Sequence, residues 1–203
     1  MKFDLADLDF INAHRFFNAA IAPRPICLVS TVGENGVFNV APFANYGRLS
    51  TKPSIVYIGV GAKRRARQRK DTIINIDFTK DFVINTVDEA LVEPMNQAAA
   101  NYPSDIDEFK EVGLTAVKSD LVKAPRVAES PISMECKLNQ VLKFGEYPDS
   151  IEVVLEEVLL VHVRDDLWIN GAINISKYKT LGRIGGDLYC RITDTFEMKT
   201  PNL

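Results

Sequence analysis

Residues 25–41 read PICLVSTVGENGVFNVA, and this stretch decides the fold. Residues 25–31 are mostly apolar or β-branched, which is typical of a strand. The Asn35–Gly36 pair that follows favours a tight hairpin turn, because both residue types tolerate a positive φ. The segment therefore predicts a strand, a turn and a second strand, which together begin an antiparallel sheet.

Short runs of the same β-branched character recur through the rest of the chain. In residues 132–144, a period of two places Ile132, Met134, Cys136 and Leu138 on one face. The predicted strands beyond the first hairpin are residues 54–60, 81–87, 132–144, 151–163 and 187–192.

Helical patterns are fewer and lie between the predicted strands. A short helix is expected to open near residue 71, with Asp71 or Thr72 as its cap. A second begins at an acidic cap and covers residues 88–100, perturbed by Pro94, and a third covers residues 104–112. Strands joined by short turns, with helices inserted between them, predict a mainly β fold with an antiparallel barrel, rather than a doubly wound parallel sheet.

Length and composition predict one folded domain, residues 1–203. Of the 203 residues, 46% are hydrophobic, which suits a substantial core and excludes intrinsic disorder. Glutamates interrupt the longest apolar run, and the first ten residues are acidic rather than basic. These features argue against a membrane span and a signal peptide, so we expect a cytoplasmic protein.

Reactive side chains are scarce. Cys27, Cys136 and Cys190 are odd in number and lie in apolar surroundings, so we expect core residues rather than disulfides or zinc ligands. His14 and His162 are the only histidines of the sequence. We predict no catalytic side chain and no metal site, and an enzyme of this composition would rely on a bound cofactor.

Residues 63–70 form a basic run, KRRARQRK, in a chain whose net charge is -3. The run can be a solvated loop, or it can attract a small polyanionic ligand. A nucleic-acid-binding patch is the weaker alternative, because interleaved aromatic residues are missing. The run leads into Lys70, Asp71 and Thr72, where a lysine, a hydroxyl and the N–H groups of a helix start suit a phosphate.

The glycines do not form a known nucleotide-binding motif. Gly59 and Gly61 lack the third glycine of the dinucleotide fingerprint, and residues 181–186, LGRIGG, lack the lysine and the hydroxyl of a P-loop. Rossmann and P-loop folds are therefore not expected.

Several short motifs instead occur in one characteristic order over roughly residues 20–192. They are PRPI at 23–26, LVST at 28–31, NVAPF at 39–43, Ser50 with Pro53, KDT at 70–72 with NI at 75–76, FVIN at 82–85, MN at 95–96, FKEVGLT at 109–115, RVAESP at 126–131 with EC at 135–136, and LGRIGG at 181–186 with Tyr189. In this order the sequence resembles the flavin reductase-like family of FMN-binding split barrels, of the flavoredoxin type.

The resemblance implies a homodimeric split β-barrel of Greek-key type that binds FMN near the subunit interface. Backbone groups would contact the isoalloxazine ring along one segment, formed by Asn39, Val40, Ala41, Pro42, Phe43, Ala44 and Asn45. The phosphate and the ribityl chain would be held by Ser50, Lys70, Asp71, Thr72 and Asn75. The flavin or the path of the nicotinamide would be bordered by Arg24, Arg183 and Tyr189. Ala44 stands where the family usually has serine, which removes one hydroxyl contact.

The predicted function is an oxidoreductase that transfers hydride from NADH or NADPH to flavin. Its electrons would pass to free flavin, to a partner oxygenase or to another acceptor. The alternative is an FMN-binding electron-transfer protein without direct nicotinamide activity, which needs the same flavin pocket. A nucleic-acid-binding domain, suggested only by the basic run, would bind no flavin.

Overall fold

The computed structural model describes residues 1–61, 69–146 and 149–201. Most of the basic run, residues 63–68, lies outside the described residues. The chain begins with a 3₁₀ turn (Leu5–Asp7) and helix α1 (Phe10–Ala20), whose first turn is capped by Asp9 through a 2.7 Å bond from the Asn12 N–H. Helix α1 was not among the predicted elements.

The other elements alternate between strands and short helices. In chain order they are β1 (Arg24–Pro25), β2 (Cys27–Val32), β3 (Phe38–Phe43), β4 (Tyr46–Ser50), β5 (Ile55–Gly61), α2 (Asp71–Thr79), β6 (Asp81–Thr86), a 3₁₀ turn (Glu89–Leu91), α3 (Val92–Gln97), α4 (Glu108–Glu111), β7 (Ala116–Val117), β8 (Arg126–Val127), β9 (Ile132–Phe144), β10 (Ile151–Val163), a 3₁₀ turn (Asp165–Leu167), β11 (Trp168–Ile169), β12 (Ala172–Ile173), β13 (Leu181–Gly185) and β14 (Leu188–Arg191). Within the described ranges, no helix has the length and apolar character that crossing a membrane requires.

The main sheet is antiparallel throughout, with strand order β3-β2-β6-β9-β10-β5-β4. Its edge strands β3 and β4 are joined by Ala44 and Asn45 alone. Seven flat strands would separate these edges by about 29 Å, whereas the link from Phe43 to Tyr46 spans at most about 11 Å. The sheet must therefore curl until its edges meet. We call this junction, where β3 and β4 meet without a ladder between them, the seam.

The predicted strands are largely confirmed. β9 and β10 have the predicted bounds, and β5, β6 and β14 differ from the predicted ranges by a residue or so at their ends. The first hairpin forms around Gly36, whose φ of 78° lies in the left-handed region that favours glycine. The predicted strand 25–31 divides into β1 and β2, which belong to different sheets. β4 was not predicted.

The predicted helices are corrected in extent. α2 opens at Asp71 as expected, but its N-cap is Lys70, without a side-chain capping bond, so the predicted Asp71 or Thr72 cap is wrong. The helix expected over residues 88–100 divides into a 3₁₀ turn and the short α3, with Pro94 in the first turn of α3, where its missing N–H costs no helical bond. The helix expected over 104–112 shrinks to α4, because residues 103–106 form a turn.

β2 is buried on both faces, which explains its nearly continuous apolar sequence. Leu28 packs into one hydrophobic cluster with Val40, Leu91 and Phe109. Alternate residues of β2 pack into a second cluster, where Ile73 and Ile76 of α2 join Cys27, Val29, Phe82 and Cys136. Cys27 and Cys136 are core residues as predicted, while Cys190 is half-buried.

One carboxyl group is buried beside this second cluster. Glu156 of β10 is fully buried, and neither of its carboxyl oxygens has a hydrogen-bond partner among the described residues. Burial raises its pKa to about 9, so the carboxyl group is neutral at physiological pH. Burial also raises the pKa of the Cys27 and Cys136 thiols, which keeps both in the unreactive protonated form.

We predict that Glu156 makes stability fall as the pH rises. The unfolded chain releases this proton near the ordinary value of 4.5, whereas the folded protein keeps it up to about 9. Each pH unit in this window therefore favours unfolding by about 1.4 kcal/mol. As the pH rises from about 5.5 to 8, the unfolding free energy of Glu156→Gln should increase by ~3 kcal/mol relative to that of wild type.

Urea unfolding across this pH range measures the effect. Glu157→Gln, at the exposed neighbouring position, is the matched control and should follow the wild-type pH dependence. Parallel wild-type and Glu156→Gln curves would show that the carboxyl group is ionised inside the protein.

Candidate functional site

A cleft of about 580 Å³ lies between α1 and the seam. One wall is the inward face of α1, formed mainly by Phe10, Ala13, His14 and Phe17. The facing wall belongs to the barrel and includes Arg24, Ala44, Asn45, Tyr46, Tyr57, Gly59, Ile151 and Val153. The cleft thus contains three of the predicted site residues, Arg24, Ala44 and Asn45.

The cleft is aromatic and carries no negative charge. Phe10, Phe17, Tyr46 and Tyr57 supply ring surface, and no aspartate or glutamate lines it within the described parts of the chain. Burial, with smaller contributions from Cys27 and Tyr178, raises the pKa of Tyr46 above its ordinary value, so its phenol stays neutral. Such walls suit a planar aromatic ligand with negative charge.

The outer edge of β3 offers backbone groups at the seam. Antiparallel pairing sends alternate residues toward the neighbouring strand, and Val40 directs its N–H outward, where Glu108 Oε2 accepts it at 2.8 Å. Pro42 shares the outward parity and has no N–H, which is the position where an edge strand tolerates proline. The carbonyl groups of Val40 and Pro42 therefore face away from β2.

Asn39, Thr72 and Asn75 belong to a buried polar network. Asn39 Oδ1 accepts hydrogen bonds from the hydroxyls of Thr72, at 3.1 Å, and Thr31, at 3.3 Å. Its amide nitrogen donates to Glu108 Oε2 at 2.6 Å, and Asn75 donates to the Thr31 hydroxyl at 2.9 Å. These three predicted ligands therefore hold the start of α2 against β3. The contact of Asn39 with the isoalloxazine ring, and those of Thr72 and Asn75 with the phosphate and the ribityl chain, stay predictions.

The start of α2 lies beside the seam. Lys70 Nζ is 4.8 Å from the ring centroid of Phe43, at the end of β3. Lys70 and Asp71 thus place a cation and the positive end of the helix dipole next to the segment 39–45.

Arg69, next to Lys70, is used structurally. Its guanidinium binds both oxygens of Glu152 at 2.7 and 2.8 Å and also donates to Asp77 at 2.8 Å. Hydrogen bonds to these carboxylates raise the pKa of Arg69 above its ordinary value. This bidentate clamp ties the chain just before α2 to β10 and neutralises one charge of the basic run.

Arg24 and Arg183 lie opposite each other in the β1–β13 ladder. Arg24 Nη1 donates to Asn45 Oδ1 at 3.3 Å. Arg183 lies over the ring of Tyr189, 5.5 Å from its centroid, and Tyr189 is also its partner in β14. The predicted residues Arg24, Asn45, Arg183 and Tyr189 therefore form one connected group.

Ser50 is separate from the other predicted residues. It ends β4, four residues and about 13 Å beyond Tyr46, and its hydroxyl donates to the carbonyl of Pro53. The structure thus brings together a group around Arg24, a group around Lys70 and the segment 39–45 that joins them.

Four contributors to the site were not predicted from the sequence: α1, Tyr46, Tyr57 and Glu108. The spacing of Phe10, Ala13, His14 and Phe17 after Asp9 is a recognisable helical pattern with an N-cap. No sequence signal marks Glu108, because its partners are 68 and 69 residues away in the chain.

Asp120, Glu135 and His162 form a second polar cluster, with ligand atoms within 4.8 Å of one another. Glu135 is fully buried and accepts the N–H groups of Asp120 and Leu121 as well as a 2.6 Å contact with His162 Nε2. Burial opposes ionisation of Glu135, but these hydrogen bonds hold its pKa below the ordinary value. The bonds from Asp120 and Leu121 pin their loop to β9.

The chain is similar in sequence and in fold to known proteins. The family model "Flavin reductase like domain" matches residues 19–177. An uncharacterized protein of Aquifex aeolicus is 33% identical over 200 residues, covering 98% of this chain and all of that protein. The structure of nitrilotriacetate monooxygenase component B from Bacillus cereus is similar, with a TM-score of 0.92 and 28% identity over 98% of both chains.

A third similarity concerns the fold alone. A protein from Shewanella frigidimarina, assigned as a flavin reductase with a split barrel domain, has a TM-score of 0.83 and 24% identity, with full coverage of both chains. The barrel closed at the seam is thus a split barrel. The chain belongs to the flavin reductase-like family.

We predict that Glu108 stabilises the seam through a single oxygen. Glu108→Leu leaves the Val40 N–H and the Asn39 amide without their acceptor, at a cost of about 2–4 kcal/mol in unfolding free energy. Glu108→Gln keeps an oxygen that can accept both bonds and should lose less than half of that. Urea denaturation distinguishes the two variants, with Glu111→Leu, at an exposed position of the same helix, as the control. Equal stability of Glu108→Leu and wild type would refute the role.

Proposed function

We propose that the protein is an FMN-dependent oxidoreductase that takes hydride from NADH or NADPH. The aromatic cleft at the seam carries this proposal, because it is free of acidic side chains and adjoins two groups of basic residues. When bound, the flavin supplies the hydride chemistry, and the protein supplies binding, orientation and electrostatic environment.

An unsatisfied donor supports a ligand in this cleft. Arg24 Nε is enclosed and has no hydrogen-bond partner among the described residues. Buried donors normally have an acceptor, and an anionic or carbonyl-bearing ligand in the cleft would supply one. The isoalloxazine ring would lie along segment 39–45, Arg183 and Tyr189 would border it or the nicotinamide path, and Tyr57 would add ring surface.

The FMN phosphate would bind at the start of α2. Lys70 would supply charge, while Asp71 and Thr72 would contribute the N–H groups of the first turn, which favour anions. Asn39 and Asn75 would position this turn through the buried network. Ser50 has the weakest support, because its hydroxyl is directed to Pro53 at the far end of β4.

We further propose that residues 1–203 form one domain that works as a cytoplasmic homodimer. Exposed apolar side chains of α1 outside the cleft, Ile11 and Phe16, are suited to burial against a second copy. The similarity to a monooxygenase component B supports transfer of electrons to a partner oxygenase or through free flavin.

An anaerobic titration tests the function. Purified protein reconstituted with FMN should show the flavin absorbance bands, and these should bleach on addition of NADH or NADPH. Bound FMN that neither coenzyme bleaches would favour an electron-transfer protein without nicotinamide activity. Protein that binds no FMN would rule out both functions.

We predict that Lys70 contributes to phosphate binding. Lys70→Ala should weaken FMN affinity about tenfold or more, since a charged hydrogen bond contributes about 1.5–3 kcal/mol. Riboflavin, which lacks the phosphate, should bind both proteins equally well. Fluorescence quenching measures both affinities, and Lys137→Ala, at an exposed position of β9, is the charge-matched control. Equal losses for FMN and riboflavin would place the phosphate elsewhere.

A further inference from the structure

The fold pairs Arg24, which lines the cleft, with a second arginine. Arg24 and Arg183 are direct partners in the antiparallel β1–β13 ladder, where like charges oppose each other at close range. The adjacent Gly182 permits this approach, because a Cβ there would lie 2.5 Å from Pro23 Cβ. The two strands therefore come close enough to pair Arg24 directly with Arg183.

No carboxylate balances this pair within the described residues. Arg24 donates to the neutral amide of Asn45, and Arg183 donates to the carbonyl of Gly186 and stacks on the neutral ring of Tyr189. Burial, and secondly the charge of Arg183, lower the pKa of Arg24 from its ordinary value. The protein thus holds two cations under mutual repulsion.

Arg24 also retains an unused donor. Its Nε is enclosed without a hydrogen-bond partner in the described part of the chain, although Arg24 lines the cleft. A guanidinium can bind two oxygens of one phosphate group through adjacent N–H donors. Arg24 Nε lacks an acceptor, the arginine pair lacks a counter-charge among the described residues, and Arg24 lines the cleft. All three observations indicate a phosphate group on the ligand.

We propose that Arg24 and Arg183 form a subsite for the diphosphate of the dihydronicotinamide coenzyme. This inference rests on the proposed function. The start of α2 would accommodate the FMN phosphate, so the arginine pair is a second, separate anion subsite. A diphosphate would satisfy Arg24 Nε and remove the repulsion between the two guanidinium groups. The pair would then hold the hydride donor by its phosphates.

Binding of ADP-ribose by itself tests the subsite without any redox reaction. ADP-ribose carries the diphosphate but no nicotinamide, and isothermal titration calorimetry on the FMN-loaded protein measures its affinity. Arg24→Gln and Arg183→Gln should each weaken binding about tenfold or more, as expected for the loss of a charged hydrogen bond. Arg24→Lys should lose less, because it keeps the charge. Arg48→Gln is the control, since Arg48 is exposed and donates to Thr51 outside the cleft.

Two hydride donors provide a second readout. The KM for NADH should rise about tenfold or more in Arg24→Gln. The KM for N-benzyl-1,4-dihydronicotinamide, which has no phosphate, should stay at the wild-type value. A merely structural role of Arg24 would change both values together and would overturn the proposal.

The outcomes separate this inference from the proposed function. Unchanged ADP-ribose affinity in both glutamine variants overturns the subsite even if NADH bleaches the flavin. Weaker binding of FMN but not of riboflavin in Arg24→Gln, with unchanged ADP-ribose affinity, assigns the arginines to the FMN phosphate and also overturns it. Loss of ADP-ribose affinity in the arginine variants, in a protein whose flavin neither coenzyme bleaches, supports the subsite and refutes the oxidoreductase reaction.

Discussion

The short link between β3 and β4 constrains the whole molecule. Ala44 and Asn45 connect strands that lie at opposite edges of the sheet order, so the sheet can satisfy this link only by closing on itself. Closure brings the two edges together without a ladder, which leaves outward backbone groups of β3 at the seam. The same link places Asn45 beside Arg24 and forms one wall of the cleft. The same two-residue link therefore closes the barrel and lines the candidate site.

Two polar arrangements fix α2 relative to this seam. The network around Asn39 joins β2, β3, α2 and α4 through buried hydrogen bonds, and the Arg69 clamp joins the residue before α2 to β10. Buried polar groups with complete partners specify one geometry, because any shift leaves a donor or an acceptor unsatisfied. Glu156 and Arg24 Nε are the opposite case, since each is enclosed without a partner among the described residues. Glu156 can remain neutral by keeping its proton, whereas the arginine keeps its charge.

Elements that depend on local sequence patterns were predicted correctly, whereas features that depend on contacts between distant segments were not. β9 and β10 were predicted with their observed bounds because their patterns of apolar and polar residues are local and long. The start of α2 was also predicted, since Asp71 and the isoleucines after it lie within one helical turn or two. The division of residues 25–31 between two sheets, and the short length of α4, depend on contacts with distant segments. In the site, the amides and hydroxyls of Asn39, Thr72 and Asn75 were identified as residues of interest, but their engagement with Glu108 and Thr31 was not.

The sequence by itself determined the antiparallel β character, the resemblance to a flavin-binding family and the small number of histidines and cysteines. These properties follow from residue type and local spacing, which the chain carries without folding. Only the tertiary structure decided which cations would be neutralised and which would stay available. Arg69 meets Glu152 across 83 residues, whereas Arg24 meets another arginine, and both outcomes result from strand pairing over long separations. Because pairing of this kind depends on closure of the whole sheet, no local pattern in the sequence could show it.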